Sequence, residues 1–284
     1  PEDLPAMKTP FTKMHGAGND FVMIDDRALV FPWQDYLRMA ALATRRLGIG
    51  CEGIILIQPS TRADFRMRFL NPDGTEVELC GNGARCSAAF AHRLGAAGRA
   101  MTMETQAGLI DAEITETGIK VWMPEPAGRR YDLAVEVDGR LFEGHALTVG
   151  VPHLVVPVPD LPALDVARFG SLLRQHPTFA PHGVNVDFVK HTAVNRLHMR
   201  TYERGVEAES GACGTGAVAA AIVAIERGTS TLPLTITTSS GFELQVDGDW
   251  RTRKCTGMTL TGPVKTVFEG VVDLDALSID DAAK

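Results

Sequence analysis

The sequence predicts an α+β protein built from two related halves, and three observations carry that reading. A five-residue motif occurs twice, as Cys80-Gly-Asn-Gly-Ala84 and Cys213-Gly-Thr-Gly-Ala217. Downstream of it, Met101-Thr-Met-Glu-Thr-Gln-Ala-Gly108 aligns at the same offset with Leu234-Thr-Ile-Thr-Thr-Ser-Ser-Gly241. Upstream, Met67-Arg68 aligns with Met199-Arg200 at an offset shorter by one residue. A repeat of this length marks a duplicated structural unit. Second, strands outnumber helices, with one main helix for each set of strands; a doubly wound sheet would alternate the two steadily. Third, at 284 residues the chain is at the size where a single core stops growing and a second domain begins.

The elements follow in order. Pro1 to Pro10 reads as a polar leader without the apolar core of a secretory signal. Phe11 to Asp26 reads as two short strands joined at Gly16-Ala-Gly18. Asp35 to Leu47 has helical apolar spacing and stops at Gly48. Ile54 to Gln58 and Phe65 to Leu70 are strands, the second with Arg66 and Arg68 on one face. Asn71-Pro-Asp-Gly74 is a turn, and a helix runs from about Asn82 to Leu94. Strands fill Met101 to Met123. The Pro/Gly-rich Pro124-Glu-Pro-Ala-Gly128 is the best boundary. The second half gives strands to Val158, a helix over Pro162 to Gln175, and strands over Asn185–Lys190 and Asn195–Tyr202. The second motif helix covers Gly214 to Glu226, and strand and turn continue to Phe268. The last strand, Val264 to Val271, is expected to return to the first domain. The domains are therefore expected at 7–126 plus 264–278, carrying Cys80, and at 127–263, carrying Cys213.

Composition narrows the function classes. A net charge of −7 argues against nucleic acid as partner. No apolar run is long enough for a membrane span. The five cysteines are odd in number and widely spaced, with no Cys-x-x-Cys and no paired histidines at zinc-finger spacing. That pattern is neither a disulfide framework nor a structural zinc site, and it fits a reducing cytoplasm.

The repeated motif carries the chemistry. Each cysteine stands just before an Ala-rich helix, where unpaired backbone N–H groups and the helix dipole favour anions. The thiol there ionises more readily. A substrate carboxylate can be held by the same N–H groups, and Gly81, Gly83, Gly214 and Gly216 allow it close. Two such thiols flanking one α-carbon can invert it without a cofactor, one taking the α-proton while the other returns one. A single cysteine in a Gly-rich turn is usually a small buried hydrophobe; recurrence in both halves moves the reading to function. Cys51, Cys86 and Cys255 have no twin and read as core. Gly214-Thr-Gly-Ala-Val-Ala219 matches a loose dinucleotide pattern, but no apolar strand runs directly into it and the first copy breaks it. Arg204, after a strand, can clamp a carboxylate at two points, or it pairs with Glu203 at the surface. Glu203 can orient or deprotonate one thiol, and His153 offers an imidazole for the other.

These residues together resemble the diaminopimelate epimerase family of cofactor-independent amino-acid racemases. The resemblance spans nearly the whole chain, through His15-Gly-Ala-Gly-Asn-Asp-Phe21, Asn71-Pro-Asp-Gly-Thr-Glu-Val-Glu-Leu-Cys-Gly-Asn-Gly-Ala-Arg-Cys86, Gly150-Val-Pro-His153, Asn185-Val-Asp-Phe188 and Tyr202-Glu-Arg-Gly-Val-Glu-Ala-Glu-Ser-Gly-Ala-Cys-Gly-Thr-Gly216. It implies two pseudo-symmetric domains, each a barrel-like, mostly antiparallel sheet around a central helix, with the site between them. It implies conversion of LL-2,6-diaminopimelate to the meso form, for lysine and peptidoglycan precursors, by a homodimer. Cys80 and Cys213 would be the acid/base thiols, supported by His153 and Glu203. Gly81, Asn82, Gly214 and Thr215 would cradle the reacting carboxylate. Asn19, Asn71, Asn185, Glu203 and Arg204 would make further substrate contacts, with Arg204 on the distal carboxylate. The chain departs from the family pattern at Gly53, Val151 and Ser210-Gly211, positions that bear on substrate identity and leave the two thiols intact. Two other readings are weighed: a racemase of another amino acid, such as histidine, on the same fold, and a non-catalytic binding or thiol-redox protein.

Overall fold

The computed structural model describes residues 7–252 and 254–277. Residues 1–6 of the expected leader, and residue 278 at the expected end of the first domain, lie outside the described residues. Two compact units divide the chain, one of residues 1–119 and 264–284, the other of residues 120–263.

The first unit contains β1 (Lys8–Gly16), β2 (Asn19–Asp25), α1 (Tyr36–Ala43), β3 (Gly53–Gln58), β4 (Phe65–Leu70), α2 (Gly81–Arg93), β5 (Ala100–Thr105), β6 (Gly108–Ile114) and, from the far end of the chain, β17 (Val264–Asp273). Their hydrogen-bonded order is β17-β1-β2-β3-β4-β5-β6. The β2–β3 and β4–β5 pairs are parallel and the others antiparallel. Each parallel pair needs a crossover, which α1 and α2 supply. β3 is a continuous apolar run, Gly-Ile-Ile-Leu-Ile-Gln, buried along its whole length. Such a strand has to be covered on both faces. Val22, Ile24, Ile54 and Leu56 pack with Met39 and Leu42 of α1 on one face. On the other, α2 meets β1, β2, β3, β4, β6 and β17. Because α2 touches both ends of the strand order, the sheet curls around it.

The second unit repeats this plan. It contains most of β7 (Ile119–Trp122), then β8 (Ala127–Val137), β9 (Arg140–Val149), β10 (Val151–Pro157), α3 (Val166–Arg174), β11 (Asn185–Ala193), β12 (Arg196–Glu203), β13 (Ala208–Ser210), α4 (Gly214–Glu226), β14 (Leu234–Thr237), β15 (Glu243–Arg251) and β16 (Lys254–Gly262). The order is β8-β9-β10-β11-β12-β14-β15-β16, with β10–β11 and β12–β14 parallel. The positions of the parallel pairs and of the crossover helices match those of the first unit, so the sequence repeat is a repeat of topology. α4 is apolar all round and buried from Gly214 to Ile225, as a helix enclosed by sheet must be. Outside the sheet, Leu173 and Val166 of α3 pack on Leu154, Val156, Val186, Phe188 and Tyr202. Each such side chain contributes about 1.5–3 kcal/mol by leaving water.

Several expected boundaries move. The unit boundary lies ahead of the Pro124–Gly128 stretch, because β7 pairs with β16 and Met123 N donates to Met258 O at 2.8 Å. Lys8, Thr9 and Pro10 are not leader but strand, paired with Asp273, Val272 and Val271 of β17. That pairing is the return of the last strand to the first unit. α1 ends at Ala43, short of Leu47, because the chain folds back over its end: Ile49 N and Gly50 N both donate to Leu42 O. α3 starts at Val166, since Asp165 is its N-cap and accepts from Arg168 N at 3.1 Å. Pro162 and Ala163 form a turn. No helix among the described residues is long and apolar enough to cross a membrane.

Candidate active site

Both motif cysteines are N-cap residues. Cys80 and Cys213 have extended backbones (φ −129°, ψ 119° and φ −112°, ψ 112°), and the helix begins at the next glycine. In each, the sulfur accepts a hydrogen bond from the backbone N–H three residues on, Gly83 N at 3.5 Å and Gly216 N at 3.4 Å. An N-cap is usually an oxygen side chain. A sulfur there caps more weakly than an oxygen and sets an ionisable thiol into the positive end of the helix. The amides of Gly81, Asn82, Gly214 and Thr215 belong to these first turns, where backbone donors lack helical partners.

In the first unit Cys80 Sγ donates to Asn19 Oδ1 at 3.6 Å. Asn82 Nδ2 donates to the same oxygen at 3.1 Å. Asn82 Oδ1 accepts from Arg85 Nη2 at 2.6 Å. The side chain of Asn19 also donates to Glu52. Gly16 of β1 passes so close to α2 that a Cβ there would lie 2.8 Å from Asn82 O, so the strand packs directly on the first turn of the helix. Asn71 closes the turn after β4: its N–H donates to Thr75 O at 2.8 Å and its side chain to Thr75 Oγ1 at 3.5 Å.

In the second unit a chain of buried polar groups ends at the thiol. Asp187, on β11, accepts from Thr201 Oγ1 at 2.8 Å through one oxygen, and the other lies 2.7 Å from His153 Nδ1. An ionised carboxylate only accepts, so Nδ1 carries the proton. In the neutral ring Nε2 is then an acceptor, 3.0 Å from Thr215 Oγ1. Thr215 Oγ1 in turn lies 3.5 Å from Cys213 Sγ. The series runs from S–H to the threonine oxygen, from its O–H to Nε2, and from Nδ1–H to Asp187. His153 and Asp187 are fully buried, and the reactive atoms of His153, Asp187 and Cys213 lie within 4.8 Å of one another. Both ring nitrogens are occupied, which leaves no imidazole lone pair for a metal ion. Burial holds the Cys213 thiol well above its ordinary range, and the charges of Glu203 and then Asp187 add to that. The bonds from Thr215 and Gly216 act in the opposite direction.

The sequence divided His153 and Glu203 between the two thiols; in the second unit both bear on Cys213. Asn185 is buried and uses Oδ1 to accept from Arg204 N at 2.8 Å, which orients the turn after β12. Arg204 Nη1 donates to His182 O at 3.4 Å. Asp187, Thr201 and Arg85 escaped the sequence reading. Asp187 and Arg85 had a signal: Asp187 is an acid among Val184, Val186, Phe188 and Val189, and Arg85 faces Val218 when the two halves are aligned. The dinucleotide reading of Gly214-Thr-Gly216 has a structural answer. A Cβ on Gly216 would stand 2.3 Å from Asp187 Oδ1, so this glycine makes room for the protein's own carboxylate.

The diaminopimelate epimerase family model matches residues 11–127 and 145–267. The chain belongs to the diaminopimelate epimerase family. Relatives named diaminopimelate epimerase include that of Aquifex aeolicus, 39% identical over 94% of this chain and 99% of its own. That of Archaeoglobus fulgidus is 36% identical over 96% and 100%. The family's fold extends to solved structures of low identity. A hydroxyproline epimerase from Agrobacterium vitis has a TM-score of 0.74 at 18% identity, covering 94% of this chain and 93% of its own. A Bacillus anthracis protein of the PhzF family has 0.70 at 17%, covering 93% and 99%.

Proposed function

We propose that this protein inverts one α-carbon of LL-2,6-diaminopimelate to give the meso isomer, with Cys80 and Cys213 as paired acid and base, in the supply of lysine and peptidoglycan precursors. The observation that carries the proposal is the recurrence, once in each unit, of a thiol at the N-cap of a buried helix. Membership of the epimerase family supports the substrate.

The chemistry follows from the residues. The amides of Gly81, Asn82, Gly214 and Thr215 receive the α-carboxylate, and their dipoles stabilise charge as the α-proton leaves. One sulfur, as thiolate, takes the proton from one face, and the other, as thiol, delivers a proton to the opposite face. The electron pair of the broken C–H bond is held briefly beside the carboxylate and then forms the new C–H bond. Each thiol serves as base in one direction of a reversible reaction. The scheme uses only the chain's own groups. Asn19, Asn71, Asn185 and Glu203 orient the substrate, and Arg204 clamps the distal carboxylate in two-point fashion. The same reading makes the protein a cytoplasmic homodimer, in a compartment that keeps both thiols reduced.

Proton NMR in D₂O tests this on the reduced protein. With LL-diaminopimelate the α-proton signal is expected to disappear as the meso isomer forms, and a parallel histidine sample is expected to stay unchanged. Exchange with histidine alone would reject the substrate and retain the thiol chemistry. In the same assay Arg204→Ala is expected to lower kcat/KM for diaminopimelate by about 10²-fold, the loss of one charge-assisted pair. An unchanged kcat/KM would remove Arg204 from the distal site.

A further inference from the structure

Arg68 and Arg200, equivalent in the sequence repeat, make equivalent ion pairs. Arg68 of β4 pairs with Glu76. Arg200 of β12 pairs with Glu209 at two points, Nε to Oε1 at 2.8 Å and Nη2 to Oε2 at 2.6 Å. Glu76 stands four residues before Cys80, and Glu209 four residues before Cys213. The register is also the same. Glu76 lies opposite Leu70, and Glu209 opposite Tyr202, in antiparallel pairing. Each glutamate therefore faces the residue two beyond its arginine. That diagonal puts both side chains on one face of the sheet, where long side chains can meet. Resting on the two-thiol reading above, we propose that Arg68–Glu76 and Arg200–Glu209 are equivalent positioning pairs, each holding the segment that delivers one thiol to the start of its helix.

Each arginine is fixed on its other side. The Arg68 guanidinium lies 3.7 Å over the Trp33 ring, and its Nε donates to Gln58 Oε1 at 3.1 Å. Gln58 Nε2 in turn donates to the buried Asp26 at 2.7 Å. Arg200 Nη1 donates to the carbonyls of Leu161 and Leu164, both at 3.0 Å, ahead of α3. In each unit an anchored cation thus reaches the loop that leads to the motif helix. Glu209 also accepts from Ser239 Oγ at 2.7 Å, and Glu76 has a longer contact with Arg66 at 3.6 Å. The hydrogen bonds from Arg200 hold the Glu209 carboxyl below its usual range, so it is ionised at neutral pH. The four side chains are 11% to 27% exposed, and ion pairs that water still reaches contribute little to global stability. Their effect is local. A displacement of about 1 Å in a proton-transferring group can cost about 10²-fold in rate. At the entrance to each segment Asn71 and Arg204 have ties of their own, to Thr75 and to Asn185. The pairs therefore bear on the thiols and not on the expected substrate contacts.

The test uses Glu76→Gln and Glu209→Gln, which keep the shape of the side chain and remove its charge. In the reduced protein without substrate, amide hydrogen exchange is read by peptide mass spectrometry. It is expected to rise about tenfold over residues 72–80 in the first variant and over residues 205–213 in the second, with the other segment unchanged in each. In the NMR assay, kcat for diaminopimelate is expected to fall by about 10- to 100-fold in each variant, with KM within about threefold of wild type. The urea midpoint is expected to stay near that of the wild type. Arg200→Lys keeps the charge and gives up the two-point contact, so its kcat is expected between those of the wild type and Arg200→Gln. A merely structural pair would lower the urea midpoint and leave the kcat of the folded protein intact, and that result would overturn the proposal. So would amide exchange that stays at wild-type rates in both segments, or that rises in both together. If a Gln variant does not fold, Arg68→Lys and Arg200→Lys are read in the same way and decide. If the wild type leaves the α-proton of diaminopimelate in place, the substrate reading fails, and the substrate-free exchange pattern still decides whether each pair holds its segment.

Discussion

Replacing Cys213 by alanine is expected to reduce epimerisation by about 10⁴-fold or more, because general acid–base catalysis at one group supplies ~10²–10⁴ and inversion has no second route to that face. The fold should survive. The change removes one buried sulfur and one N-cap acceptor, a loss of about 0.5–2 kcal/mol. What distinguishes a two-thiol site from a site with one essential cysteine is the remaining exchange. With Cys80 intact, one stereoisomer should still exchange its α-proton for deuterium, since the thiolate can remove a proton and return a solvent-derived one to the same face. Cys80→Ala should show the mirror behaviour, exchanging the other isomer. Both variants are read by NMR in D₂O with LL- and meso-diaminopimelate supplied separately. If either variant keeps near wild-type conversion, the paired-thiol scheme fails.

The second large effect is expected at Asp187. Its carboxylate is fully buried between Thr201 and His153, and a Cβ on Gly216 would collide with it. Asp187→Ala leaves a buried imidazole N–H and a buried hydroxyl without their acceptor, at a cost of about 1–3 kcal/mol for each group left unpaired. Urea denaturation measures that. Asp187→Asn separates charge from shape. The amide oxygen can still accept from Nδ1, but the buried negative charge beside the ring is gone, and turnover is expected to fall by about tenfold, the equivalent of a one-unit change in titration. The pH dependence has a definite sign. The charge of Asp187 is one of the causes holding the Cys213 thiol up, so removing it should bring that thiol's titration down. In Asp187→Asn the Cys213 alkylation midpoint should fall while turnover also falls. A midpoint that rises or stays in place would contradict this electrostatic influence of Asp187 on Cys213.

Much of this was legible in the sequence for identifiable reasons. The helix starts at Cys80 and Cys213 are written locally: a non-helical residue, glycines, then alanines. The repeat gave the duplication, because duplicated topology preserved duplicated sequence. The ends of α1 and α3 were not legible from apolar spacing. Periodicity continues past the point where a chain reversal over Leu42, or an aspartate cap at Asp165, stops the helix. The Asp187–His153 pair was out of reach for a different reason. Whether an acid in a strand faces a partner or solvent depends on which strand lies beside it. The parallel register that places β11 beside β10 is a contact between residues far apart in the chain. Arg85 shows the limit of composition: an arginine on a helix reads as surface, and only enclosure by the sheet makes it an interior cation.

The route of β17 also has a consequence for how the chain is made. The second unit is one continuous segment, whereas the first needs residues from Lys8 and from Asp273 in the same antiparallel pair. Domains fold as units while the ribosome is still adding residues. The later half, complete once residue 263 has emerged, can therefore mature before the earlier one. Until then β1 keeps an exposed edge, the kind of surface that recruits strands from other chains. Nascent copies crowded on one message would then be most prone to strand exchange at β1, and the hazard would end only when the final strand is released.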